Sequence, residues 1–185
     1  MSARYLILAP EYAPSVGGVQ RYLAGLAKAL GPDAATVLAP GHPEDREHDD
    51  RSPVPVERVA GSRGLLWPVA WYRAALRSLA RRPATALVAG HIRLAPVAWA
   101  LARRTGLPLV CLAYGMDVTA GRFGRLKRSL WRSASRVVAI SRFTADRVIE
   151  QGVHPSRVAL LPPGLDPGEV PPARSGDAAA ARRAR

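Results

Sequence analysis

Two adjacent glycines, Gly17 and Gly18, open the helix-spaced stretch "VQRYLAGLAKAL" at residues 19–30. The start of a helix offers backbone N–H groups with no partner inside the helix, and with no side chain in the way these suit a phosphate. The same pair suits a plain tight turn, because glycine tolerates backbone angles that other residues avoid. Residue type alone leaves both readings open. The spacing is neither G-x-G-x-x-G nor the P-loop pattern, which argues against a dinucleotide or ATP site. His91 directly follows the apolar run "TALVAG". A histidine there can donate to a hydroxyl or phosphate, titrate near neutrality, or cap and pack locally. In "YGMD", Tyr114, Gly115 and Asp117 form a polar cluster where another apolar run breaks off. Asp117 can accept from sugar hydroxyls or serve as the hydrogen bonder of a turn built on Gly115. Ser141 precedes a helical stretch and suits an N-cap as well as a ligand contact. No G-x-S-x-G elbow is present, so a serine hydrolase has no support. His42 and His48 fall in an acidic stretch, His154 in a turn and Cys111 inside an apolar run, with no metal-ligand spacing among them. Neither a metal nor a cofactor is expected.

Gly17-Gly18, His91, "YGMD" and Ser141 share a position: each falls at or just after the carboxyl end of a run that reads as a buried strand. The runs are 4–9, 35–40, 54–60, 85–90, 108–115, 136–141 and 157–164. Between them lie helical stretches. Val19, Leu23, Leu26, Ala27 and Leu30 mark one helical face, and Gly31-Pro32 ends it. Residues 65–82, with Pro68 in the first turn, about 93–105, about 122–133 and 142–151 complete the alternation. Residues 41–53, "GHPEDREHDDRSP", read as a solvated loop. Alternating strands and helices predict an α/β fold: a doubly wound, mostly parallel, Rossmann-like sheet of about seven strands. In such sheets ligands bind beyond the carboxyl ends of the strands, where strand order reverses.

The chain has 185 residues, 48% hydrophobic and 22% charged, with one cysteine. That balance suits a globular domain with a real core, no apolar run is long enough to span a membrane, and the single cysteine fits a reducing compartment. A cytoplasmic location is expected. The net charge is +13, and it is uneven: residues 1–60 carry −2 and residues 61–185 carry +15. Such a field favours polyanions: phosphorylated small molecules, an anionic membrane surface or nucleic acid. No nucleic-acid signature accompanies the charge, so no specific nucleic-acid partner is expected. In the basic stretch "GRFGRLKRSLWRS", Phe123, Leu126, Leu130 and Trp131 share one helical face, which either packs on the sheet or lies on anionic lipid. Packing is the expectation for the stripe itself.

Taken in order, "PEYAPSVGGVQRYLAGLAKAL", His91, "YGMD" and "ASRVVAISRFTADRVIEQGVHPSRVALLPPGLD" resemble the amino-terminal half of the family 4 glycosyltransferases. These are retaining enzymes of the two-domain GT-B fold. The resemblance implies an acceptor-side Rossmann domain over 1–167. It also implies a linker or tail over 168–185 leading toward a carboxy-terminal donor-binding domain that this sequence lacks. By the same resemblance, Gly17 and Gly18 leave room for the diphosphate of a nucleotide sugar, and Gln20 sits near a hydroxyl acceptor. His91 and Asp117 carry the chemistry, and Tyr114, Gly115 and Ser141 line the acceptor side. Tyr114 stands where the family often has histidine before this glycine. The acceptor is expected to be lipid-linked or a phospholipid, at the inner face of the cell membrane. Trp67, Trp71 and Tyr72 on the helix at 65–82 add to that expectation. The chain alone is expected to be inactive without a separate donor domain. The alternative is a non-catalytic binding module or one subunit of a split enzyme.

Overall fold

The computed structural model describes residues 3–62, 64–119 and 124–164. The segment 168–185, expected to be a linker, and Phe123 lie outside them. Seven strands form one sheet: β1 (Tyr5–Leu8), β2 (Ala35–Pro40), β3 (Val56–Val59), β4 (Ala86–Ala89), β5 (Leu109–Ala113), β6 (Arg136–Ala139) and β7 (Val158–Leu160). Their order is β3-β2-β1-β4-β5-β6-β7, and every pairing is parallel. Parallel pairing requires crossovers and buries both faces, which is why the strands read as unbroken apolar runs. The expected seven-stranded, Rossmann-like sheet is the one observed. The strands are shorter than the apolar runs, most of all β7.

The helices are α1 (Gly18–Leu30), α2 (Asp45–Asp50), α3 (Trp67–Arg81), α4 (Ala95–Thr105), α5 (Met116–Thr119), α6 (Gly124–Ser133) and α7 (Arg142–Glu150). Side chains alternate across the sheet. On one face Ile7, Ala9, Val37 and Val88 pack with Leu23 and Ala27 of α1. On the other, Leu6, Leu8, Leu38 and Leu87 pack with Trp71 of α3, Leu101 of α4, Trp131 of α6 and Val148 of α7. The apolar stripe of α6 is thus committed to the core through Leu130 and Trp131. Trp71 is also buried, and Trp67 and Tyr72 pack partly against the same core. Trp71 is thus a core residue, and Trp67 and Tyr72 are half-buried against the same core.

The acidic stretch 41–53 is not wholly a loop, since α2 lies within it. It has no buried residue and no apolar face of its own. What holds it comes from elsewhere in the chain: Arg58, at the end of β3, grips the Asp49 carboxylate with two nitrogens at 2.6 and 2.8 Å. Asp45 and Glu47 in its first turn also suit the positive end of a short helix.

Candidate active site at the carboxyl edge

Strand order reverses between β1 and β4, so the crevice beyond those two strands is the expected ligand position. The loop after β1 leads into α1 through Gly17 and Gly18. Gly17 is extended, with φ at 172°, and α1 begins at Gly18. Neither lies in the left-handed region, so a tight turn is not what requires glycine here. At Gly17 a Cβ would meet the carboxamide at the far end of the Gln20 side chain, which folds back over it and would have to move. At Gly18 the space a Cβ would fill has no heavy atom within 4 Å. The amino end of α1 is therefore bare on that side.

Gln20 turns back because its Nε2 donates to Glu11 Oε2 at 3.2 Å. Glu11 in turn faces Arg93, with Oε1 3.7 Å from the guanidinium. The pair spans the switch point, since Glu11 follows β1 and Arg93 follows β4. The backbone N–H of Arg93 donates to His91 Nδ1 at 3.2 Å. His91 thus caps the 3-10 turn Ile92–Leu94. With Nδ1 accepting, the neutral ring carries its proton on Nε2. The capping role left open in the sequence is real, and it fixes the ring rather than removing it from the site.

The ring of His91 stacks on Tyr114, with centroids 6.1 Å apart and an interplanar angle of 16°. Tyr114 donates its hydroxyl to the Gly90 carbonyl at 2.9 Å and meets Tyr22 of α1 edge-on at 5.6 Å. Tyr22 donates to the Leu161 carbonyl at 2.9 Å, beyond β7. Burial raises both phenols above their ordinary range, so each stays a donor. One line of aromatics therefore joins the ends of β4, β5 and β7 to α1.

Asp117 lies on α5, two residues beyond Gly115, whose φ of 104° makes the reversal. Its Oδ1 accepts the Tyr114 N–H at 3.0 Å, so the local role of the turn reading is present. Its Oδ2 is buried and has no hydrogen-bond partner among the described residues, in a residue only 7% exposed. A buried unsatisfied carboxylate oxygen is costly. Burial holds the carboxyl above the usual carboxylate range; the Tyr114 amide, then His91 and the amides of Gly115 and of Asp117 itself, pull the other way. Ser141 caps α7, its Oγ accepting from Thr144 N at 3.1 Å and lying 2.9 Å from Thr144 Oγ1. Thr144 Oγ1 sits 3.4 Å from where a Cβ on Gly115 would be, which places Ser141 beside the turn.

The structure thus assembles the residues singled out in the sequence into two linked groups. Gly17, Gly18 and Gln20 lie at the start of α1. His91, Tyr114, Gly115 and Asp117 lie across β4 and β5, with Ser141 adjoining through Thr144. Three contributors carried no legible signal. Glu11, Tyr22 and Arg58 act through partners far away in sequence. Arg58 also donates to the Pro40 carbonyl at 3.0 Å and to the Ala13 carbonyl at 2.8 Å, tying the loop before Gly17 to β2 and α2. Beside Glu11 and Arg93 opens a cleft of about 390 Å³, also lined by Pro10, Pro40, Trp67 and Trp71. A smaller hollow of about 210 Å³ lies at the opposite, amino end of the strands, around Arg4, Asp33 and Thr36. Among the described residues no group of three or more His, Cys, Asp or Glu could hold a metal ion, and no helix is long and apolar enough to cross a membrane. Cys111 is buried in β5, and burial pushes its thiol up to about 12, which makes it a poor nucleophile.

Solved structures share this fold. Anabaena Alr3699/HepE in complex with UDP-glucose matches with a TM-score of 0.74 at 17% identity, over 99% of this chain and 50% of that one. The lipopolysaccharide outer core galactosyltransferase WaaB matches with a TM-score of 0.66 at 9% identity, over 92% and 50%. A UDP-N-acetylglucosamine 2-epimerase from Rickettsia bellii matches with a TM-score of 0.62 at 10% identity, over 85% and 44%. At such identities the likeness is one of fold alone. The chain spans about half the length of each. No curated protein sequence matches it. The sequence profile of Glycosyltransferase Family 4 matches residues 16–169, from the glycine loop through every strand of the sheet after β1. With that match over most of its length, the chain belongs to Glycosyltransferase Family 4.

Proposed function

We propose that this chain is the acceptor-side half of a retaining glycosyltransferase that moves a sugar from a nucleotide diphosphate sugar to a hydroxyl of a lipid-borne acceptor. The observation that carries the reading is that the carboxyl edge of the sheet holds both a bare helix start at Gly18, beside the switch point, and, beyond β5, an Asp117 Oδ2 that is buried with no hydrogen-bond partner among the described residues. The first suits the diphosphate, and the second suits a hydroxyl donor. In the reaction the bond between the sugar's anomeric carbon and the diphosphate oxygen breaks, and the acceptor oxygen bonds to that carbon on the same face. The acceptor's proton passes to the departing diphosphate oxygen, on which negative charge grows as the bond breaks. The amide groups at the start of α1 meet part of that charge where it develops. Asp117 accepts from a hydroxyl in the site, and His91, oriented by the Arg93 amide, donates from Nε2. The cleft beside Glu11, Arg93 and Trp67 admits the acceptor. A second, donor-binding half supplies the rest of the nucleotide site, and without it the reactants are not held together. UDP-glucose bound to the HepE structure supports a nucleotide sugar as the donor class.

Titration calorimetry with UDP- and GDP-sugars, with and without a supplied donor domain from a relative, tests this. Binding and turnover only with both halves present are expected, with turnover falling at least a hundredfold in Asp117→Asn. Tight nucleotide-sugar binding by the lone chain would overturn the division of labour. Full turnover in Asp117→Asn would remove Asp117 from the chemistry.

A further inference from the structure

From residue 58 to residue 145 the sequence holds sixteen lysines and arginines and a single acidic residue, Asp117, which is buried. That stretch builds α3, α4 and α6, which together with α7 cover one face of the sheet; α4 packs against both α3 and α6, and α7 adds Asp146 and Glu150 beside them. Their inward sides are spent on the core. Their outward sides expose Arg73 and Arg77 on α3, Arg103 and Arg104 on α4, and Arg128 and Arg132 on α6. No carboxylate on these three helices offsets them. Ordinary solvated helices mix both signs of charge, so a one-signed outer layer over three neighbouring helices implies an extended anionic partner.

The same face exposes apolar groups. Leu65 and Leu66, at the entry to α3, are 95% and 72% exposed, and Val69 follows on the next turn. Trp99 on α4 is 41% exposed, with the Arg103 guanidinium 5.6 Å from its ring centroid. Arginines around protruding leucines and a tryptophan are the pattern of a surface that seats on anionic lipid: cations meet headgroups and the apolar groups enter the interface. A nucleic-acid face has no use for a leucine pair standing free at its edge. The leucines also stand between Gly64 and Trp67, which line the 390 Å³ cleft.

We infer that the outer face of α3, α4 and α6, with Leu65 and Leu66 as its apolar lip, docks on an anionic bilayer and brings the cleft mouth to the lipid surface. The inference deepens the reading of a lipid-borne acceptor and rests on it for its purpose. The two are separable in experiment, because vesicle binding needs neither donor sugar nor turnover.

The test is co-sedimentation of the chain with vesicles of phosphatidylcholine alone or with about a third phosphatidylglycerol, at low and high salt. Binding to the anionic vesicles alone, weakened by salt, is expected. Arg73→Glu/Arg77→Glu/Arg103→Glu should weaken it about a hundredfold or more, from roughly fivefold per arginine near an anionic surface. Leu65→Ser/Leu66→Ser should weaken it about tenfold, and Arg4→Glu/Arg21→Glu, on other exposed parts of the chain, less than threefold. All of these side chains are exposed, and circular dichroism melts confirm that each variant folds. Equal losses in the face and control variants would overturn the inference. So would no vesicle binding by the parent chain, or retention on duplex RNA or DNA at high salt in its place. Absent vesicle binding with intact turnover in a two-domain protein would sink the docking face alone. Vesicle binding with no turnover would sink the transfer reading alone.

Discussion

Replacing Arg58 with alanine should cost this domain about 3 kcal/mol, at the low end of the roughly 3–5 kcal/mol for removing one partner of a buried ion pair. The Arg58 and Asp49 side chains are 14% and 21% exposed, so water screens the pair only in part. Its guanidinium makes two bonds to Asp49 and one each to the Pro40 and Ala13 carbonyls. Without it the Asp49 carboxylate loses its cation and both carbonyls lose this donor. Asp49's remaining access to water is what holds the loss to the low end. Arg58→Lys should recover about half, because an ammonium cannot grip the carboxylate with two nitrogens and reach both carbonyls as well. Urea unfolding at pH 7 followed by circular dichroism measures the loss. A double-mutant cycle with Asp49→Asn isolates the pair, with coupling expected at about 1–2 kcal/mol. Hydrogen exchange at the amides of residues 11–17 reports whether the loop loosens with it. A loss under about 0.5 kcal/mol would place the pair among ordinary surface bridges. Unchanged exchange in the loop, with stability lost, would show that Arg58 holds α2 but does not position the glycine loop.

Three other substitutions probe the site. Burial makes the folded chain hold the Asp117 proton more tightly than the unfolded chain does, so stability falls as pH rises from the ordinary carboxylate range through the raised value. Asp117→Asn cannot titrate, so its stability relative to the parent should climb over that window; a difference flat from pH 4 to pH 8 would remove the argument. Gly18→Ala meets no atom within 4 Å and should raise stability by about 0.5–1 kcal/mol while cutting turnover of the two-domain protein at least tenfold; Gly17→Ala must displace the Gln20 carboxamide from Glu11 and should lower stability by about 1 kcal/mol. Thermal melts and initial rates check both, and unchanged turnover in Gly18→Ala would show that no ligand approaches there.

How far the sequence discloses this arrangement depends on whether a residue's role is local. The strands are legible because burial on both faces leaves continuous apolar runs, and α1 because Leu23 and Ala27 recur on one face. The caps at His91 and Ser141 are legible as residue types ahead of helical stretches. The short helix α2 is not, since its stability comes from Arg58, which reads as one residue of a strand. Nor is Tyr22, whose hydroxyl partner lies 139 residues away. The aromatics of α3 mislead for a related reason: composition gives their number, but only packing shows that Trp71 faces the core while Leu65 and Leu66 face out.

The exceptions to good burial sort by place, and the sorting carries meaning. Val16 follows β1, Phe143 begins α7 beyond β6, and Leu160 and Leu161 close β7; all are large apolar side chains left exposed along the carboxyl edge of the sheet. The unpartnered oxygen of Asp117 and the bare start of α1 lie along that edge too. Elsewhere the core is closed: Trp131, Leu101 and Leu94 are fully buried, and so are the sheet-facing residues of α1, although Trp131 Nε1 has no hydrogen-bond partner among the described residues. A sequence that leaves most of its large exposed apolar side chains along one edge has kept that edge for something outside the domain. Trp99 is the exposed aromatic far from the edge, and it stands with Arg103 on the cationic face. The domain therefore presents two surfaces of different chemistry, an apolar and polar edge suited to another protein surface and small ligands, and a cationic helix layer suited to lipid. They meet at Leu65 and Leu66, beside the cleft, which is where a lipid-borne acceptor would have to pass from one to the other.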